Sequence, residues 1–189
     1  IAKGHTLCGV ITAAEQISDW AEGRDIPLIR PGKGLADRLV DSFDYFFSIT
    51  HLAMVAPEVI ARAEKGAINF HDGPLPAYAG LYVTAWAVMQ QERTHGISWH
   101  QMTETVDAGG IFKQRIFDLQ LDETSFTLNS KCYGEAIDSF GELVDELASG
   151  TATPKAQADE GRSYFGLTDR PRSAATLDWS KGAKELDAL

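Results

Sequence analysis

Two rhythms of apolar residues run along the chain. Compact runs rich in β-branched and aromatic residues at 6–12, 27–29, 43–49, 67–70 and 96–102 predict strands. Between them, residues 13–21, 35–42, 57–63 and 82–91 predict helices, the third with Pro57 in its first turn. Residues 122–149 predict the longest helix, with Cys132, Ala136, Phe140, Leu143 and Leu147 close to one face and Ile137 and Val144 on its flank. Strands alternating with helices indicate an α/β fold, a parallel sheet with helices on both faces. Residues 111–121 alternate like a strand returning beside 96–102, so the far edge of the sheet is expected to be antiparallel. Residues 1–5 look like a helix end capped by Gly4, and Lys65-Gly66 is a turn signal.

The densest polar chemistry follows the strand at 67–70. Asn69, His71 and Asp72 close that strand, and Pro74 and Pro76, flanked by Gly73 and Gly80, disfavour regular structure up to Gly80. A buried strand that ends in polar side chains and a stiff loop opens into a pocket. Asp107 begins a second such turn before Gly109 and Gly110. An amide, an imidazole and a carboxylate together suit acyl transfer to an amine. The amide or an imidazolium stabilises the oxyanion, the imidazole takes the amine's proton, and the carboxylate fixes the imidazole. Taken singly, each residue also has a local structural reading: a strand end, a loop cap, a turn. His100 alternates with apolar neighbours and reads as a satisfied core histidine before a second catalytic one.

In combination these residues resemble the folate-dependent formyltransferases. The matching motifs are Asn69-Phe70-His71, the loop Leu75-Pro76-Ala77-Tyr78-Ala79-Gly80 and the segment Asp107-Ala108-Gly109, with Trp86-Ala87 and residues 94–102 between them. The likeness covers roughly residues 4–150. It implies the formyltransferase fold, an open, mostly parallel Rossmann-like sheet, and 10-formyltetrahydrofolate as formyl donor. It also implies Asn69, His71 and Asp107 as catalytic residues with no metal. The loop after the strand at 43–49 would take the pterin through Leu52, Ala53 and Met54, and Thr103, Glu104, Thr105 and Val106 would line its edge. The family carries a strand and most of a helix ahead of residues 6–12, so the first strand is expected to be missing from this sequence. Residues 1–150 would then be the catalytic domain, truncated at its N-terminus. Residues 151–189 would be a polar linker and a lead-in, through 177–183, to an absent C-terminal region.

Composition narrows the setting. With 189 residues, 44% hydrophobic and 23% charged, the chain is long enough for one full core. No apolar run reaches membrane-spanning length and no secretory signal opens the sequence, so no membrane partner and a cytoplasmic location are expected. Cys8 and Cys132 have no metal-ligand spacing and read as buried free thiols. Residues 31–34 are glycine-rich but lack the spacing of a phosphate loop. A net charge of −10 argues against a nucleic-acid partner.

The wording of residues 69–80 is most like formylation domains of nonribosomal peptide and polyketide synthetases. That likeness implies an amine acceptor tethered to a carrier domain. Many relatives carry a basic residue just before Gly80, where this chain has Ala79. The alternatives are a formyltetrahydrofolate hydrolase, a methionyl-tRNA or amino-sugar formyltransferase, and an inactive folate-binding module.

Overall fold

The computed structural model describes residues 4–39, 42–171 and 176–187. Its Cα framework divides into two compact units, Ile1–Phe46 with Ala53–Ala67, and Phe47–Leu52 with Ile68–Leu189.

In the first unit, β1 (Val10–Ile11) and β2 (Leu28–Ile29) pair in parallel, and α1 (Glu15–Glu22) connects them. The strand expected over 6–12 is thus two residues long. Ala21 and Ile26 are buried beneath α1 and its exit turn. The short α2 (Leu35–Arg38) follows; residues 40 and 41 of the expected helix lie outside the described residues, as do residues 1–3 of the expected helix end. The unit also holds the start of β3 (Phe43–Ser48), α3 (Pro57–Ile60) with Val59 buried, and the start of β4 (Ala63–His71). The turn expected at Lys65-Gly66 does not form. Strand β4 runs through it, Gly66 taking a φ of 150°, and Lys65 reaches Asp44 of β3 at 3.0 Å. Pairing with a neighbouring strand overrides the local turn preference.

The second unit carries β5 (Ala79–Gly80), α4 (Val83–Met89), β6 (Thr94–Gln101), β7 (Ile111–Asp118), α5 (Ser125–Ala148), β8 (Tyr164–Phe165) and α6 (Ala183–Asp187). The four-stranded sheet has the order β3-β4-β6-β7, and β5 and β8 form a separate parallel pair. The antiparallel part takes in β4–β6 as well as the expected β6–β7 edge.

The register of β4 against β6 sorts the side chains. Phe70 lies opposite Trp99, Asn69 opposite His100, and His71 opposite Ser98. Successive residues of a strand point to opposite faces. One face is therefore aromatic: Trp99 packs on Phe70 and on Phe140 of α5, and its indole N–H donates to Ser139 at 3.0 Å. The other face carries Asn69, His71, Ser98 and His100.

Helix α5 begins with a capping box in which Thr124 and Thr127 satisfy each other's backbone N–H. Its buried side chains include Leu128, Cys132, Ala136, Leu143 and Leu147, four of them residues of the expected apolar face. Cys132 Sγ lies 4.0 Å from the Asp72 carbonyl oxygen. No helix among the described residues is long and apolar enough to cross a membrane.

Candidate active site

Strand β4 delivers Asn69 and His71 to the polar face, and the loop that follows is held in place from below. Ser98 of β6 donates to the Gly73 carbonyl at 2.8 Å and accepts from Leu75 N–H at 3.1 Å. Gln114 of β7 donates to the Leu75 carbonyl at 2.8 Å. This pinned loop turns tightly enough that a Cβ on Gly73 would lie 2.6 Å from His71 Nε2.

Beyond the loop, Tyr78 takes a positive φ of 59°, and its ring stacks on Phe165 with centroids 5.4 Å apart. Its hydroxyl lies 2.6 Å from both Gln90 and Glu92; burial, and then the Glu92 carboxylate, push the phenol above its ordinary range.

The second loop, residues 102–110, brings up Asp107. Gly109 is required here, because a Cβ at that position would lie 1.9 Å from the Gln101 carbonyl. Asp107 itself has a φ of 50°.

Asn69, His71 and Asp107 converge, and His100 joins them. His71 is 5% exposed, His100 3% and Asp107 9%. Asp107 Oδ2 accepts from Gly80 N–H at 2.8 Å and lies 3.6 Å from His71 Nδ1. Asp107 Oδ1 lies 3.3 Å from His100 Nε2, and Asn69 Nδ2 lies 3.2 Å from that same nitrogen. His100 Nδ1 donates to the Gln101 carbonyl at 3.0 Å. His71 Nε2 donates to the Tyr78 carbonyl at 2.6 Å, so Nδ1 is the ring nitrogen that faces carboxylates: Asp107, and Asp72 at 3.9 Å.

Burial alone would raise the Asp107 carboxyl. The hydrogen bond with His100, the charge on His71 and the Gly80 N–H outweigh it and hold the group at about 2. Asp107 is therefore an anion wherever the chain is folded at ordinary pH. His95, fully buried, lies behind the loop and donates from Nε2 to the Asp72 carbonyl at 2.8 Å. Its burial lowers its proton affinity.

His100 was expected to be a core residue. It is buried and hydrogen-bonded as such a residue should be, yet its Nε2 faces Asn69 and Asp107. Only the β4–β6 register reveals this, by seating it opposite Asn69.

The seven residues assigned to the donor stand as follows. Leu52 and Met54, in the loop after β3, are 81% and 65% exposed, and Ala53 is exposed between them. Thr103, Glu104 and Thr105 are exposed and Val106 is half-buried, the Thr103 hydroxyl donating to the Thr105 carbonyl at 2.9 Å. Residues 155–165, within the stretch expected to be linker and lead-in, hydrogen-bond to both site loops. Gln157 and Arg162 reach the carbonyls of 106–109, and Ser163 and Phe165 reach the backbone of 78–81.

The formyl transferase family model matches residues 42–138, which takes in both site loops and His100. Among solved structures, the N-formyltransferase of Helicobacter canadensis, determined with folinic acid and dTDP-3-aminofucose, is 21% identical with a TM-score of 0.77. That match covers 90% of this chain and 61% of the Helicobacter chain, less than two thirds of its length. A 4-N formyltransferase from Francisella tularensis is 18% identical over 95% of this chain and 74% of its own, with a TM-score of 0.77. HypX from Aquifex aeolicus, solved with tetrahydrofolic acid, is 15% identical over 94% of this chain and 32% of its own, with a TM-score of 0.69. At these identities the solved structures establish a shared fold, and the family model, which matches just over half of the chain, establishes the family. The chain belongs to the formyl transferase family.

Proposed function

We propose that the chain transfers a formyl group from 10-formyltetrahydrofolate to an amine. The observation that carries this reading is the convergence of Asn69, His71, His100 and Asp107 within the family-matched segment. The donor supplies a formyl carbon attached to its N10. In the transfer, a C–N bond forms between the acceptor nitrogen and that carbon, and the bond from the carbon to N10 breaks. The acceptor nitrogen loses a proton and N10 gains one.

Each side chain has a part in this. Asn69, the least buried of the four, hydrogen-bonds the oxygen that becomes negative as the amine attacks. His71 takes the amine's proton at Nδ1, since Nε2 is committed to the Tyr78 carbonyl. Once charged, the ring sits beside an anionic Asp107, which stabilises it and orders the path by which the proton moves on. The chain's residues also fit the donor. Leu52 and Met54 are large apolar side chains left exposed on a loop, where a flat heteroaromatic ring would cover them.

For the acceptor, an amine on a nucleotide-linked sugar comes first. Structural neighbours include sugar N-formyltransferases, and the Helicobacter N-formyltransferase was solved with dTDP-3-aminofucose. A second reading, an aminoacyl group tethered to a carrier domain, rests on Ala79, which leaves the loop without a basic residue for an acceptor phosphate.

The test is tetrahydrofolate release by the full chain, measured with no amine, with nucleotide-linked amino sugars, with carrier-bound aminoacyl groups and with methionyl-tRNA. Release that requires an amine supports transfer, and the accelerating amine names the acceptor. Full-speed release with water alone would make the chain a hydrolase, and folate binding with no release under any condition would leave a binding module.

A further inference from the structure

Asp107 is held in place by residues 50 and 55 positions further along the chain. Its φ lies in the left-handed region, which side chains rarely adopt, so something must hold its loop. Gln157 donates from Nε2 to the carbonyls of Asp107 at 2.9 Å and Gly109 at 2.7 Å. Arg162 donates to the Val106 carbonyl at 3.0 Å and to that of Asp107 at 3.4 Å. The Gln157 amide cannot reverse: flipped, its oxygen would face two carbonyl oxygens. Its own Oε1 is buried without a partner, so this orientation is kept at the expense of an acceptor.

The same segment secures the opposite wall. Ser163 Oγ accepts from Tyr78 N–H at 2.7 Å, the Ser163 carbonyl from Ala79 N–H at 3.0 Å, and the Phe165 carbonyl from Leu81 N–H at 2.8 Å. The Phe165 ring is stacked against Tyr78 and Trp86. Two catalytic contacts depend on the wall so held. The Tyr78 carbonyl receives His71 Nε2–H, and the Gly80 N–H is donated to Asp107.

The geometry points to residues 157–165 as a strap across both site loops that sets the Asp107 carboxylate against His71, with Gln157 and Arg162 as positioning residues. The part this plays in turnover rests on the formyl-transfer reading above. Without the strap, the 106–109 carbonyls lose their donors and the carboxylate drifts from the Gly80 N–H. The family match ends at residue 138, ahead of the whole segment.

The test uses Gln157→Ala, Arg162→Ala and their combination in the full chain, with Arg162→Lys as the conservative variant. Two quantities are read: steady-state turnover, and hydrogen exchange of the Gly80 amide by NMR. In the double variant kcat falls about 10- to 100-fold with KM for donor and acceptor little changed. Gly80 exchange accelerates while the β6 amides stay protected, and Arg162→Lys recovers part of both. Wild-type kcat with Gly80 still protected in the double variant would overturn the proposal. So would loss of β6 protection in step with Gly80 in every variant, since the segment would then merely support the fold. Should the wild-type chain formylate no amine at all, the functional reading fails, but the Gly80 exchange still decides whether the strap holds the loop.

Discussion

At the scale of single residues, the charge on Asp107 organises the site. Replacing Asn69, His71 or Asp107 by Ala should lower turnover about 10²-fold or more, with smaller effects on folate affinity. Steady-state kinetics beside folate titration calorimetry check this, and a variant with near wild-type turnover leaves the mechanism. Gly73→Ala is a sharper probe because it removes no functional group. The added methyl would sit 2.6 Å from His71 Nε2 and 2.7 Å from the Tyr78 carbonyl, so one of them must move. A loss of about 10²-fold in kcat with a native fold by circular dichroism is expected. The Asp107 carboxyl also links stability to pH. Its folded value of about 2 lies below the ordinary 3.8, so its contribution is complete above about pH 4 and is lost as pH falls towards 2. The amount is on the order of 2 kcal/mol. Urea unfolding of Asp107→Asn beside the wild type should show a gap at pH 6 that closes towards pH 2.

At the scale of elements, the β4–β6 pair joins core and candidate site, one face aromatic and the other carrying the side chains proposed to act in transfer. Trp99 anchors the aromatic face. Trp99→Ala should cost about 3–5 kcal/mol in urea unfolding. Trp99→Phe should cost less, roughly 1–3 kcal/mol, for the lost N–H bond to Ser139 and the volume left behind. Asn69 and His71 were legible in the sequence because they flank one aromatic residue at a strand end, ahead of a proline-stiffened loop. His100 was legible only as a buried strand residue. Its partners lie 31 and 7 residues away, across a register that no local pattern encodes. The strap was less legible still. Strand β8 is two residues long and pairs with β5, also two residues long and 85 positions earlier, so neither has room for a visible alternation. The turn at Lys65-Gly66 shows the opposite failure, a clear local signal overruled by a neighbouring strand.

At the scale of the whole molecule, the net charge of −10 is partly organised. Helix α5 reads in sequence as a row of acids against one lysine, Lys131. In the structure Lys113 and Arg115 of β7 also meet that row: Lys113 lies 2.7 Å from Glu146 and Arg115 2.6 Å from Glu142, while Lys131 holds Glu123 at 2.8 Å. The Lys113 and Arg115 pairs join the helix to the edge of the sheet, and Cys132 lies fully buried on the same helix. Burial, and then the Asp72 carboxylate, push the Cys132 thiol up to about 12. Protonated and covered, it can meet a thiol reagent only when α5 lifts. Cys132 is thus a built-in clock for the opening of this helix. With Cys8→Ser removing the other thiol, an aromatic disulfide reagent should label the native chain in one slow phase. A labelling rate that climbs with urea as steeply as unfolding itself would mean that α5 leaves only with the whole chain. A shallow climb would mean that it opens alone, and labelling at the rate of an unfolded thiol in plain buffer would mean that the seat is never closed.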